Sequence, residues 1–304
     1  MHFINNDTMR VNNYNKDTKS VQFVVKEESE LMVFLMNKLS GISRTKVKNM
    51  LSNGLIWVNE DVVSQYNYAL KQGMIVRIGT KQEKRKFTSK WIKIVYEDKY
   101  IVIVEKREGI VTNSPTSEES VQKVLNNYFE FTRQRCRAHT VHRLDKHTSG
   151  LLIFAKDKKI SMLFERSWKD IVTNRRYVAV VEGFMEKEFG TIESWLKDNK
   201  MFVSYSSEVD NGGKYAVTHY KTLKRTPNYS LIDLKLDTGR KNQIRVHMQD
   251  LKHSIVGDMK YGSTQDPIHR VALHAYKLEF IHPVTKEELS FETPIPESFI
   301  KLLS

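Results

Sequence analysis

Five consecutive apolar residues, Leu151-Leu152-Ile153-Phe154-Ala155, follow directly on a loop crowded with polar and charged groups, His142-Arg143-Leu144-Asp145-Lys146-His147-Thr148-Ser149-Gly150. A short run with no polar member, entered through a tight Ser-Gly break, reads as a buried strand. The charged loop therefore sits at the lip of a core, where an ionised side chain needs a partner. Asp145 stands between Arg143 and Lys146 in this loop. These cations are expected to hold its carboxyl below the ordinary value of about 3.9 and so keep it ionised. An ionised carboxylate with neither a second acid nor a metal-binding box beside it suits nucleophilic or electrostatic chemistry better than general-acid work. A plainer role, capping the Thr148-Ser149-Gly150 bend, is open at this point.

The chain has 304 residues, a net charge of +13 and a single cysteine, Cys136. That length supports two domains, and no apolar run reaches the roughly 18 residues that span a bilayer. Residues 1–19 are polar and Asn-rich, which predicts a disordered N-terminus without a secretory signal. One cysteine excludes an intrachain disulfide and fits a reducing compartment, so a cytoplasmic location is expected. The positive charge calls for a polyanion, either nucleic acid or an acidic membrane surface. It is concentrated: residues 31–90 hold eleven Lys and Arg against three Asp and Glu, which favours RNA.

Residues 20–80 read as a small α/β unit. Leu31, Phe34, Leu35 and Leu39 recur at helical spacing, and Ser43 is a good N-cap for a second helix, Arg44 to Ser52, that stops at Gly54. Strand-like residues 55–59, a turn at Glu60-Asp61 and a strand within 70–78 follow, and residues 81–90 read as a basic linker. Residues 91–304 read as a larger α+β domain. Strands are expected at 92–96, 101–105, 151–155, 177–181, 215–223, 230–236 and 271–280, with helices at 120–131, 158–168 and 240–251. Asp210-Asn211-Gly212-Gly213 is a turn signal between strands. Strands joined mostly by turns predict a largely antiparallel sheet.

In the expected helix 240–251, Ile244, His247, Met248 and Leu251 form an apolar stripe, with Arg245 about 100° around at its edge. In Arg175-Arg176-Tyr177-Val178-Ala179-Val180-Val181, Tyr177 shares one strand face with Ala179 and Val181. No dinucleotide-binding or phosphate-binding glycine loop is present, and no Cys or His pair stands at metal spacing.

These runs resemble those of RNA pseudouridine synthases of the RluA family, over roughly residues 92–298. Supporting matches are Tyr96-Glu97-Asp98, Gly257-Asp258-x-x-Tyr261-Gly262 and Ala272-Leu273-His274-Ala275. The small unit resembles the RNA-binding domain named after a small-subunit ribosomal protein, through Ser43-Arg44-x-x-Val47 and Gly54-x-x-x-Val58-Asn59. Departures are the missing Pro after Lys106, Asn242 where a His is common, and Glu60 where Gly usually follows the Asn.

The resemblance implies a pseudouridine synthase fold and isomerisation of uridine to pseudouridine without cofactor or metal. It makes Asp145 the catalytic group, puts Arg245 in a salt bridge to it, and gives Tyr177 a stacking or proton-transfer role. Arg143 becomes the residue that holds or replaces an everted nucleotide. His142 is left between substrate contact and a structural hydrogen bond. Arg44, Lys46, Lys48, Arg240 and Lys241 are the expected phosphate contacts. Large-subunit ribosomal RNA is the expected partner ahead of tRNA, with the protein a monomer and no membrane involved. Two other readings are a catalytically silent RNA-binding or ribosome-assembly factor, and a hydrolase using Ser149 with His142 or His147. The second lacks the nucleophile-elbow pattern.

Overall fold

The computed structural model describes residues 20–79, 87–115 and 119–304, so the expected disordered N-terminus and most of the expected linker lie outside the described residues. The chain divides into two units, residues 1–86 and 87–304.

The smaller unit runs β1 (Ser20–Val24), β2 (Ser29–Glu30), α1 (Leu31–Lys38), α2 (Arg44–Ser52), β3 (Ile56–Val58), β4 (Asp61–Val62), β5 (Ala69–Leu70) and β6 (Ile75–Gly79). Its antiparallel sheet has the order β1-β6-β3-β4. Leu31 and Leu35 of α1 pack with Val47 and Leu51 of α2 and with Ile56 and Val76 of the sheet. The Ser43 hydroxyl accepts from Lys46 N at 3.3 Å, as its N-cap position predicts. At the β3–β4 turn Asn59 itself takes the left-handed conformation (φ 56°), and its Oδ1 accepts from Ile75 N. The turn therefore needs no glycine at Glu60.

The larger unit continues with β7 (Ile92–Glu97), β8 (Ile101–Lys106), α3 (Val121–Phe131), β9 (His139–Thr140), β10 (Ser149–Ala155), α4 (Lys158–Arg166), α5 (Trp168–Ile171), β11 (Val172–Glu182), β12 (Phe189–Asp198), β13 (Ser204–Ser207), β14 (Lys214–Arg225), β15 (Tyr229–Leu236), α6 (Gln243–Asp250), β16 (Leu273–Ile281), β17 (Glu288–Glu292) and α7 (Glu297–Lys301). The sheet order is β13-β12-β14-β15-β11-β16-β10-β8-β7, with β17 beside β16 and β9 beside the end of β10. Its pairings are antiparallel except for β10 with β16.

Both faces of β8 and β10 are covered, which explains the uninterrupted apolar run. Val102, Val104, Leu152 and Phe154 face Val121, Leu125 and Phe129 of α3. Their neighbours Ile101, Ile103, Leu151 and Ile153 face Ile160 and Phe164 of α4 on the other side. Alternation along a strand sends each residue to its layer, and full burial of each such side chain contributes about 1.5–3 kcal/mol. The expected helix 158–168 is split at Ser167 into α4 and α5. The expected helix 240–251 starts later, at Gln243, because Asn242 is left-handed (φ 55°) and cannot lie inside a helix. No helix among the described residues is long and apolar enough to cross a membrane.

Candidate active site

Asp145 lies in the loop joining β9 to β10, and the chain on either side of it is fixed by residues from elsewhere. On one side, Thr112 Oγ1 donates to Leu144 O at 2.8 Å and accepts from Leu144 N at 3.1 Å. On the other, Lys146 O accepts from Gly109 N (2.8 Å) and from the ammonium of Lys106 (3.2 Å). Lys106, fully buried at the end of β8, donates its other protons to Arg107 O and Ile110 O, both at 2.8 Å. The loop closes on itself through Thr148 N to Asp145 O. Its exit is Gly150, at φ +118°, where a Cβ would lie 2.2 Å from Ala275 O. Only glycine lets β10 approach β16 there.

These clamps carry a prediction. Thr112→Val strips both backbone partners from Leu144, and a buried unsatisfied group costs about 1–3 kcal/mol. The variant should melt lower and lose kcat more than KM in a uridine-isomerisation assay; unchanged kcat would show that the loop holds its shape without Thr112.

Around Asp145 the structure gathers seven of the residues singled out from sequence: Asp145 itself, Tyr177, Arg245, Arg143, His142, Arg240 and Lys241 line one cavity of about 410 Å³. That volume falls in the range of roughly 300–1,000 Å³ typical of small-molecule sites. Trp168 and Arg175 complete one wall, the guanidinium 5.3 Å from the indole centroid. A Cβ on Gly239 would come within 3.0 Å of Arg175 Nη1, so the absence of a side chain there lets Arg175 keep its place. Arg44, Lys46 and Lys48 belong to the other unit, exposed on α2.

Two expectations about the site are corrected. Arg245 does not form the salt bridge with Asp145. Its Nε and Nη2 grip the buried carboxylate of Asp258 at 2.6 and 2.7 Å, while Nη1 donates to Asn242 Oδ1 at 2.8 Å. The ring of Tyr261 lies 4.6 Å from the guanidinium carbon. Arg245 acts on Asp145 through space, as a positive charge already fixed by another acid. Second, the Asp145 carboxyl is not held low. Burial pushes it up, and the opposing pull of Arg245, Arg143 and Lys106 does not overcome that. A site that needs this group ionised should therefore lose activity on the acid side at a pH above the ordinary carboxylate value.

Burial likewise raises the Tyr177 phenol, so it stays protonated at neutral pH, with Arg175 pulling weakly the other way. His142 Nε2 accepts from Ile153 N at 3.0 Å, and burial beside Arg175 lowers the ring to about 3. Of its two open roles, the structure displays the hydrogen bond to the neighbouring strand. Lys241 is committed to Asp198 at 2.7 Å, and Arg240 Nε donates to Tyr215 O at 3.0 Å. Ser149 is bonded to neither His142 nor His147: its buried Oγ lies 2.7 Å from His274 Nδ1 and accepts from Arg270 Nη2 at 2.7 Å. That removes the hydrolase reading as it was framed. No cluster of three or more His, Cys, Asp or Glu among the described residues is placed to hold a metal ion.

Burial lowers the Lys106 ammonium to about 7, with Glu108 and Asp145 pulling upward. Its unfolded value is about 10.4. Between those values the unfolded chain binds a proton that the folded chain releases, so stability should rise as pH climbs from about 7 toward 10. Thermal melts across that window should show the slope in the wild type and lose it in Lys106→Met; an identical slope in both would assign it to other groups.

Thr112 and Lys106 had no role assigned from sequence, although Lys106 announces itself as a cation ending an apolar strand. Asp258 was visible inside Gly257-Asp258-x-x-Tyr261-Gly262, but nothing local marks it as the partner of a residue thirteen positions earlier.

Comparison with known proteins places the chain in a family. A family model described as RNA pseudouridylate synthase matches residues 100–250. An uncharacterized RNA pseudouridine synthase of Bacillus subtilis, YjbO, is 32% identical over 86% of this chain and 95% of its own. Ribosomal large subunit pseudouridine synthase D of Neisseria meningitidis is 34% identical over 89% of this chain and 76% of its own. The solved structure titled human RNA pseudouridylate synthase domain containing 1 has a TM-score of 0.57 at 26% identity, covering 69% of this chain and 86% of that one. Fold and sequence together define an RNA pseudouridine synthase, an isomerase. Within that class the chain belongs to the RluA family.

Proposed function

We propose that this protein converts uridines of large-subunit ribosomal RNA to pseudouridine, with Asp145 as the nucleophile or base. The observation that carries the reading is the convergence of Asp145, Tyr177 and Arg245 on one cavity of about 410 Å³. In the reaction the bond from uracil N1 to ribose C1′ breaks and a bond from C5 to C1′ forms. N1 gains a proton and C5 loses one, so atoms and electrons balance without a redox partner. The Asp145 carboxylate serves by attacking the pyrimidine ring, by attacking C1′, or by removing a ribose proton to give a glycal. Each route requires the ionised form. A carboxylate raised by burial and kept charged by fixed cations is a stronger base than one in water. Tyr177, kept neutral, offers a ring for the base to stack on and a hydroxyl to donate, not a base. Arg143, exposed at the rim, holds the everted nucleotide and offsets an extrusion cost of a few kcal/mol. Arg44, Lys46 and Lys48 add phosphate contacts from the small unit.

Large-subunit ribosomal RNA is favoured by the likeness to the Neisseria relative, a ribosomal large subunit pseudouridine synthase. The test is incubation of the protein, without cofactor, with deproteinised ribosomal RNA and separately with tRNA, followed by mass-spectrometric mapping. Pseudouridine in large-subunit RNA is the expected result. Product in tRNA alone would move the substrate there, and binding without product in either would favour the silent RNA-binding factor.

A further inference from the structure

A second cleft, of about 500 Å³, opens where α3 ends and β10 meets α4, lined by Arg135, Arg137, His139 and Lys156. Two acids also line it, Glu130 and Asp157, but Asp157 is occupied as the cap of α4, accepting from Ile160 N at 2.9 Å. Arg133, Arg135 and Arg137 are exposed, and none forms an ion pair among the described residues. The segment 133–143 carries four arginines and no acid. It begins at this cleft and ends at the catalytic cavity, which His142 and Arg143 line.

The sheet sets the distance. His139 and Thr140 pair with Ala155 and Phe154 at one end of β10, and the Asp145 loop enters the other end at Ser149. Six residue steps at about 3.3 Å each separate the two ends by about 20 Å. Helix α4 runs beside this strand, with Lys159 and Arg166 seven positions apart and so on one exposed face, and Lys169 of α5 reaches the cavity. Glu165 and Asp170 are interspersed there, so the helix adds less net charge than segment 133–143.

We propose that segment 133–143 is a track for the phosphate backbone of the RNA helix flanking the target, gripped by Arg133, Arg135 and Arg137 about 20 Å from the reacting uridine. This rests on the protein acting on RNA, but not on which RNA is its substrate. One strand of a DNA duplex presents a phosphate about every 3.4 Å of axis and the shorter A-form RNA helix somewhat more often, so the grip falls about six or seven nucleotides from the target. Unpaired arginines on an exposed loop position a backbone without reading its sequence.

The experiment measures binding of the full chain to synthetic hairpins with a uridine-containing loop and a stem of either about four or about twelve base pairs, across a salt series. The wild type should bind the long stem more tightly and with a steeper salt dependence. In a variant carrying Arg133→Ala, Arg135→Ala and Arg137→Ala, the slope of log affinity on log salt should fall by about 2–3 on the long stem and hardly change on the short one. A control carrying Lys187→Ala, Lys221→Ala and Lys224→Ala, all exposed elsewhere, should leave the stem-length dependence intact. Equal losses on both stems, equal losses in both variants, or no length dependence in the wild type would each overturn the track. Failure of the ribosomal RNA assay would not, since hairpin binding is independent of the natural target.

Discussion

Asp145→Asn is expected to bind RNA about as well as the wild type and to form no detectable pseudouridine, a loss on the order of a thousandfold or more. The amide keeps the shape of the loop, whose backbone is held by Thr112, Lys106 and Gly109 and not by the Asp145 side chain. It also removes a charge that burial disfavours. A carboxyl raised above its unfolded value costs stability at neutral pH, and the cost is relieved only as pH falls toward that unfolded value. The same variant should therefore melt at or above the wild-type temperature near pH 7. Loss of activity with gained stability is the mark of a group retained for chemistry. Wild-type turnover by the Asn variant would remove Asp145 from the mechanism.

The second large effect is on Arg245. In Arg245→Met the Asp258 carboxylate, 1% exposed, is left buried without its partner. Removing one half of a buried ion pair costs about 3–5 kcal/mol. At about 2–4 °C per kcal/mol for a unit of this size, melting should fall by roughly 6–20 °C. Adding Asp258→Leu removes the orphaned charge and should restore most of the loss. Activity should not return with it, because the positive charge facing Asp145 is still missing. Recovery of both together would mean that Arg245 serves only to hold α6 against the loop that follows it.

Much of this was readable in advance. The polar loop before an apolar strand placed Asp145 at the edge of a core, and the doubly covered β10 is the physical reason for that pattern. Spacing alone put Tyr177 on a strand face and Arg245 at the edge of a helix's apolar stripe; their place beside Asp145 came from the family resemblance. What sequence could not supply were relations between distant segments. The left-handed Asn242 delays α6 to Gln243, whose amide ties Thr238, Arg240 N and Thr218 together, a contact set that no helical periodicity encodes. The raised Asp145 carboxyl was missed because the neighbouring cations were weighed without the burial that outweighs them. Lys146, adjacent in sequence, is absent from the charges acting on it, whereas Lys106 and Arg245 are present. Strands β12 and β13 were missed because their outward faces, in Glu193, Lys197 and Tyr205, dilute the apolar signal.

The junction of Gly150 with Ala275 ties the birth of the enzyme to its synthesis. The clamps on the body of the reactive loop, Thr112, Lys106 and Gly109, precede it in the chain, whereas its exit is braced by a strand made much later, with Ser149 and His274 separated by 125 positions. A growing chain that has not yet extended past β16 has the loop held at Leu144 and Lys146 but open at its exit, beside an incomplete sheet. Catalysis must therefore wait until β16 has been made, so the emergence of that strand acts as a timer on the chemistry.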